Sequence, residues 1–458
     1  MIKKDKDIII IGAGLTGLAL GVFLKEKGLT FSIIEKNENT GGVIGTRDNN
    51  GFIYETGPNT GVLSTPELIR LFDILGDKAE LETADKSASK RYIWKNGKWR
   101  AMPSGLFSAV GTPLFSLYDK FRILGEPFRK PGSNPDESVA DLVRRRMGKS
   151  FLNYAVDPFI SGVYAGNPEK LITRYALPKL YNLEQNYGSF IGGAMKKAKE
   201  PKTDLEKRAT REVFSVKGGL GNLIKGMIDY IGDDNIFTSC SETLVDVAKD
   251  IYSCTFIKDG EKKKISAGKV VTTTGSEDLN KLLPFVESPD IRSVTGLNHA
   301  RIVLAAVGYN KWEGVPLDAF GGLVPSKEER KVLGVLFPSA IFSGRAPEGG
   351  AQLSVFMGGY RNGGITGKSD DEIKDIVLEE MKNMMGTGNN MPDMLDIFRY
   401  EKAIPQYELS SGERFAAINK IQDQYPGLFI AGNIRDGIGM ADRVKQAGQL
   451  AESIGIME

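Results

Sequence analysis

Four consecutive isoleucines, Ile8 to Ile11, run straight into Gly12-Ala13-Gly14-Leu15-Thr16-Gly17, and this junction constrains the fold more than any other stretch of the chain. An unbroken β-branched run predicts a parallel strand buried on both faces. The glycines then turn the chain into a helix carrying Leu18, Ala19, Leu20 and Leu24. Gly12 permits the tight turn, Gly14 lets backbone approach a pyrophosphate, and Gly17 lets helix pack on strand. The helix N-terminus offers free N–H groups and the positive end of its dipole to phosphates. A second strand, Phe31 to Ile34, ends in Glu35. That carboxylate stands where a dinucleotide fold needs an acceptor for ribose hydroxyls, and its charge would repel a 2′-phosphate. A Gly-x-Gly-x-x-Gly string alone often marks only a tight turn, whereas strand, helix and acid together predict a dinucleotide site.

Further glycines follow: Gly41-Gly42, then Gly51, then Glu55-Thr56-Gly57-Pro58-Asn59. This succession resembles the extended FAD signature of the superfamily that holds amine oxidases, carotenoid desaturases and protoporphyrinogen oxidases. NAD-only dehydrogenases do not usually carry the second glycine pair, so the resemblance implies FAD as the cofactor.

At 458 residues the chain exceeds what one hydrophobic core usually organises, and two or three domains are expected. No apolar run reaches the roughly 18 residues needed to cross a bilayer. The N-terminus lacks a signal peptide's cleavage site. A formal charge of +2 argues against a nucleic-acid partner. Cys240 and Cys254 are the only cysteines and form no Cys-x-x-Cys pair, which fits a reducing cytoplasm. Neither lies near the C-terminus, where some flavoenzymes of this superfamily tether FAD, so a non-covalent flavin is expected. His299 is the single histidine, which argues against a serine–histidine–acid triad and a multi-histidine metal site. It reads as a packed or exposed residue, and the chemistry must come from a cofactor.

Along the chain, Thr65-Pro66-Glu67 opens a helix that Gly76 stops, and a hairpin around Asn96-Gly97 leaves the nucleotide domain. Residues 104–205 look mainly helical. Leu106, Phe107, Val110, Leu114, Phe115, Leu117 and Phe121 form a dense apolar stretch, with Lys120, Arg122, Arg129 and Lys130 among and after them. Such a stretch serves either as a surface that rests on a membrane or receives a greasy substrate, or as ordinary helix packing. Nucleotide-domain logic returns with strands at Val213 to Val216, Ile236 to Thr238, Leu244 to Val247 and Lys269 to Gly275, and a helix over Leu220 to Ile231. Residues 290–400 alternate strands and helices and predict a second sheet. The buried run Leu428 to Ala431 meets Gly432-Asn433 and a last helix from Met440, a second dipole for the cofactor. The fold expected is α/β. A Rossmann-like FAD-binding domain is assembled from segments 1–88, 206–290 and 406–458, with a mainly helical lobe at 89–205 and a mixed-sheet substrate domain at 291–405.

Four stretches narrow the family. They are Asp157 to Pro168; Gly322 to Glu328 with Phe337 to Phe342 and Arg345 to Gly349; Ala403 to Tyr407; and Ala431-Gly432-Asn433. Their order resembles the protoporphyrinogen oxidase family from about residue 6 to the C-terminus. That family usually continues from Gln-Tyr to Gly-His, and here Glu408 to Glu413 contains no histidine. The resemblance implies an FAD-dependent oxidase of heme biosynthesis. It would remove six electrons from protoporphyrinogen IX in three flavin cycles, with molecular oxygen as acceptor. It also implies peripheral membrane contact, a homodimer and handover of product to a chelatase. By matching position, Arg91 pairs with a substrate propionate, which a guanidinium fork suits, or forms a surface salt bridge. Leu323 and Phe342 sandwich the tetrapyrrole or pack as plain core, and Gly162 approaches it by backbone. For FAD the resemblance carries over Gly12, Gly14, Gly17, Glu35, Lys36, Gly41, Gly42, Gly57, Val245, Gly432, Met440 and Val444. Arg345 reads as structural, pairing with an acid. Coproporphyrinogen III is the nearest alternative substrate, because Lys90 beside Arg91 leaves a more cationic pocket open. An amine oxidase or carotenoid desaturase is more distant.

Overall fold

The computed structural model describes residues 4–103, 108 and 111–456. Leu106, Phe107 and Val110 of the apolar stretch lie outside the described residues.

The isoleucine strand is Lys6–Ile11, at the centre of the first sheet. It pairs in parallel with Phe31–Ile34 on one side and with Glu261–Thr272 on the other, Ile8 standing opposite Phe31 and Lys269. Ile236–Phe237 extends the sheet beyond Phe31–Ile34, again in parallel. The far side of Glu261–Thr272 is shared. Its first half takes an antiparallel ribbon, Ile251–Lys258 and Ser241–Ala248, while Val270 to Thr272 pairs in parallel with Leu428–Ile430. Strands from far-separated stretches thus meet in one sheet. Ile8 and Ile10 enter a core formed with the helices Leu15–Glu26, Pro66–Leu75, Gly221–Ile231 and Met440–Ile456. Ile9 and Ile11 enter another core on the opposite face, beneath the helices Ser288–Thr295 and Ser411–Gln424. A run with no polar alternation is therefore buried twice over.

The second sheet runs Met394–Pro405, His299–Tyr309, Ala351–Gly358, Gly334–Leu336, Ala319–Leu323, Lys90–Lys95, Lys98–Ala101. All neighbours are antiparallel except Lys90–Lys95, which lies parallel to Ala319–Leu323. Gly51, read within the glycine succession, makes a hairpin turn with Asn50 (φ +54° and +81°) between Thr46–Asn49 and Phe52–Glu55.

From Leu117 onward to Arg208 the regular elements are short helices. Val139–Arg146 begins at Ser138, whose hydroxyl caps Asp141 N. Its last residue, Arg146, is 0% exposed and lies between Glu126 (0%) and Glu184 (1%). Arg146 Nε donates to Glu126 Oε1 at 2.6 Å and Nη1 to Glu184 Oε1 at 2.7 Å. Glu126 also accepts from Ser189 Oγ, Phe190 N and Ile191 N. A buried charge set this fully hydrogen-bonded ties the helices of the lobe to one another.

Candidate active site

The first glycine turn is packed so that only glycine fits at two of its three positions. Gly12 has φ +105° and a Cβ there would lie 2.8 Å from Thr273 Oγ1. A Cβ on Gly17 would stand 2.0 Å from Gly12 O. Gly14 differs: a Cβ there would meet nothing within 4 Å, so this backbone opens onto free space. The helix that follows has no side-chain cap and no acid in its first turn, leaving its N–H groups for an anion. Gly41 N donates to Ala13 O at 2.8 Å, which lays the second glycine pair beside the first turn. Gly42 at φ +65° stands against Gly14, and a Cβ on Gly57 would meet Val43 O at 2.0 Å. Asn59, two residues on, has a buried Oδ1 without a hydrogen-bond partner among the described residues. A free-space glycine and an uncapped helix start together suit a phosphate or similar anion.

Glu35 is buried at the end of its strand. Its Oε2 accepts from Ala13 N at 2.8 Å and Oε1 from Asn37 N at 2.9 Å. The carboxylate thus holds the glycine turn in place and keeps further lone pairs for hydroxyl donors. Lys36 turns away, its ammonium 2.7 Å from Asp278 Oδ2 in an exposed pair, so its side chain is engaged elsewhere. Val245 is fully buried and paired with Cys254 in the antiparallel ribbon. At the other end of the chain Gly432 has φ +92°, and its N–H donates to Gln446 Oε1 at 2.8 Å. Met440 opens the last helix, and Val444 is wholly in the core it forms.

The four substrate candidates gather around one face of the second sheet. Arg91 and Ile93 point away from Tyr92 and Trp94, which serve the core on the other side. Arg91 is exposed and its guanidinium lies 5.9 Å from the Phe320 ring centroid. Among the described residues no acid stands within ion-pair distance of it. Leu323, half-buried, packs in the cluster of Ile93, and a Cβ on Gly162 would lie 2.5 Å from its Cδ2. Phe342 joins Phe320 in a neighbouring cluster. Phe320 is the residue that sequence reasoning does not find. Its only signal is its distance of three from Leu323, and a register shift between Ala319 and Gly321 alters the alternation there. Lys90 is held by Asp318 at 2.5 Å.

Arg345 is buried, as an acid-pairing structural residue should be. It lies 3.4 Å from Glu82 and 3.8 Å from Glu55, with its guanidinium over the Phe342 ring. Burial pushes Glu55 up to about 7, opposed by hydrogen bonds from Thr46 and Leu220 N and by the Arg345 charge. His299 is half-buried with Nδ1 3.1 Å from Leu297 O, and burial pushes its pKa down. Both cysteines are buried and free. Among the described residues no cluster of His, Cys, Asp and Glu could hold a metal ion. None of their helices is long and apolar enough to cross a membrane.

These features give an α/β protein with an open glycine turn at the start of its first helix and an exposed arginine over an aromatic ring on its second sheet. The model of the flavin containing amine oxidoreductase family matches residues 15–451. The chain belongs to that family and is a flavin-dependent oxidoreductase. Within it, protoporphyrinogen oxidase 2, chloroplastic/mitochondrial, of Arabidopsis thaliana is 28% identical, over 98% of this chain and 94% of the relative. Coproporphyrinogen III oxidase of Bacillus subtilis (strain 168) is 25% identical over 97% of each. A solved structure from Exiguobacterium sp. 255-15, provisionally assigned as a protoporphyrinogen oxidase, superposes with a TM-score of 0.80 at 22% identity, covering 99% of this chain and 100% of that one. At that identity the likeness speaks for the fold.

Proposed function

We propose that the protein oxidises protoporphyrinogen IX to protoporphyrin IX, with non-covalently bound FAD and molecular oxygen as acceptor. Removal of six electrons and six hydrogens in three rounds would yield three molecules of peroxide. The observation that supports the reading is a juxtaposition at one face of the second sheet: Arg91, in no ion pair among the described residues, lies over Phe320, which packs with Phe342, while Leu323 packs in the adjoining cluster, so that a flat macrocycle laid there would find an apolar slot with a cation for a propionate at its edge. Bound flavin supplies the hydride acceptor. The chain has to hold the macrocycle, exclude water from the slot and keep the dinucleotide fixed. Gly12, Gly14, Gly17, Gly41, Gly42, Gly57 and Glu35 are the residues for the nucleotide end, with the turn at Gly432 and the helix from Met440 for the ring end.

Coproporphyrinogen III is the second reading, favoured by the Bacillus relative. It carries propionates where the first substrate has vinyls and would want a second cation, yet the Lys90 ammonium is bound to Asp318. The test is aerobic incubation of the purified yellow protein with each porphyrinogen, following porphyrin fluorescence against enzyme-free controls. Faster turnover of protoporphyrinogen is expected; preference for coproporphyrinogen replaces the first reading with the second, and turnover of neither removes both. In Arg91→Ala, loss of one charge-assisted hydrogen bond, worth about 1.5–3 kcal/mol, should raise KM roughly 10- to 100-fold with kcat little changed. A change confined to FAD content would place Arg91 elsewhere.

The helix Leu117–Leu124 buries none of its residues. Leu117, Tyr118, Phe121 and Leu124, with Phe128 just beyond, are between 64% and 89% exposed. A large apolar set on one short stretch supports peripheral contact with a membrane. The wild-type protein should float with liposomes, and the double variant Phe121→Asp with Phe128→Asp should stay in the soluble fraction. Equal behaviour of the two removes the membrane reading.

A further inference from the structure

Two buried guanidinium groups flank the turn between Gly432 and the last helix, and among the described residues neither forms an ion pair. Arg443 is 6% exposed in the first turn of Met440–Ile456. Its Nη1 donates to Gly432 O and, at 2.9 Å, to Gln446 Oε1, while Nη2 donates to Arg435 O at 2.8 Å. Its Nε is buried and has no partner among the described residues. Arg414, 1% exposed, approaches the same turn from the helix Ser411–Gln424, donating to Ile434 O at 3.1 Å and Ser411 Oγ at 2.9 Å. Among the described residues no carboxylate lies within ion-pair distance of either guanidinium. The acids whose charges reach them hydrogen-bond other groups: Asp436 with Arg435 at 3.1 Å and with Gln446, Asp442 with Gly439 N, and Glu408 with Asn298 at 2.9 Å. Burial pushes both guanidinium pKa values down, that of Arg414 to about 10.

Burying a charge without a counter-charge costs several kcal/mol, and elsewhere this chain avoids it, as Arg146 between Glu126 and Glu184 shows. The positive end of the last helix adds to the same field. An arrangement this costly is retained where a ligand completes it. Transfer of a hydride, two electrons and one proton, to the oxidised isoalloxazine leaves that ring one unit more negative. We propose that Arg443, supported by Arg414, favours the reduced, anionic flavin and so raises the reduction potential of the bound cofactor. Arg443 is a positioning and tuning residue, acting across Gly432 rather than on the substrate. The proposal rests on the reading that the isoalloxazine sits at the Gly432 turn.

The experiment is the midpoint potential of the bound flavin, measured by equilibration with a reference dye in the absence of porphyrinogen. Arg443→Gln should lower the equilibrium constant for reduction about tenfold, which is about 30 mV for a two-electron couple. Arg443→Lys, which keeps the charge, should stay near the wild type. Arg414→Gln, which removes the supporting charge and leaves Arg443 in place, should lower the potential in the same direction by a smaller amount. This second variant decides the matter if Arg443→Gln does not fold. Unchanged potentials in variants that still bind flavin overturn the proposal and leave Arg443 a strut for the Gly432 and Arg435 carbonyls. A wild-type protein that binds no flavin overturns the cofactor reading itself, a different failure seen in the absorption spectrum before any potential is measured.

Discussion

Arg146→Ala is expected to cost about 3–5 kcal/mol, because it takes the ion-pair partner from buried Glu126 and leaves Glu184 with Arg145 alone. Glu126 and Glu184 lie 0% and 1% exposed, and neither can reach water to recover its solvation. Burial by itself would raise their pKa values, but the Phe190, Ile191 and Ser189 donors on Glu126 and the two arginines on Glu184 hold both below the usual carboxylate range. The sign of the pH dependence follows. A carboxylate depressed in the folded state contributes stability that is present above its unfolded pKa and lost as pH falls through its folded one. The wild-type lobe should therefore loosen on acidification below about pH 4.5, and Arg146→Ala should flatten that dependence. The measurement is thermal unfolding of the holoenzyme, where a loss of this size lowers the lobe's transition by roughly 6–20 °C. Lys207→Ala, which removes only an exposed pair with Asp204, is the control and should move it by no more than about 0.5 kcal/mol equivalent. Equal effects of the two variants would show that the buried network does not hold the lobe.

Glu35→Ala should release FAD. The substitution would remove the proposed acceptor for the ribose hydroxyls and leaves Ala13 N, in the middle of the glycine turn, without its buried partner. Losing a charge-assisted acceptor costs about 1.5–3 kcal/mol, roughly a 10- to 100-fold loss of affinity, and orphaning the buried Ala13 donor, about 1–3 kcal/mol, loosens the turn further. Glu35→Gln cannot repair this. Its amide presents a donor to one of two N–H groups, Ala13 or Asn37, that both need an acceptor. The readout is the flavin absorbance retained after gel filtration, together with FAD titration of the apoprotein. A variant that stays yellow with unchanged affinity would refute the assignment of Glu35.

Much of the nucleotide end was legible because its signals are local. Four isoleucines without a polar interruption demand burial on two faces, and the helices Leu15–Glu26 and Ser411–Gln424 cover them from opposite sides. The helix Ser411–Gln424 gave no comparable sign of itself. Its buried residues include Ala417, Ile418 and Ile421, a narrow stripe on an otherwise polar helix. The strand Met394–Pro405 is illegible for the opposite reason. Asp396, Arg399, Glu401 and Lys402 interrupt it, and most of its side chains are only half-buried, so neither alternation nor an apolar run marks it.

The proposed substrate site was legible as a set of positions and not as a shape. Arg91, Gly162, Leu323 and Phe342 are scattered over 252 positions of sequence. The parallel register of Lys90–Lys95 on Ala319–Leu323 sets Arg91 and Ile93 on one face with Phe320 and Leu323, and that register also brings in Phe320 unannounced.

By itself the amino-acid sequence determined the dinucleotide turn, the acid at the end of the second strand and the order of the motifs, since each depends on neighbours within a few residues. Only the tertiary structure decided which charges are buried. Arg144, Arg145 and Arg146 are identical in type and adjacent in the chain, yet Arg144 meets Glu169 at the surface, Arg145 is part-exposed between Glu137 and Glu184, and Arg146 is sealed inside. The same holds for Arg443. A guanidinium's partners come from elements far away along the chain, and whether it is neutralised or left to act on a ligand depends on what the fold packs around it.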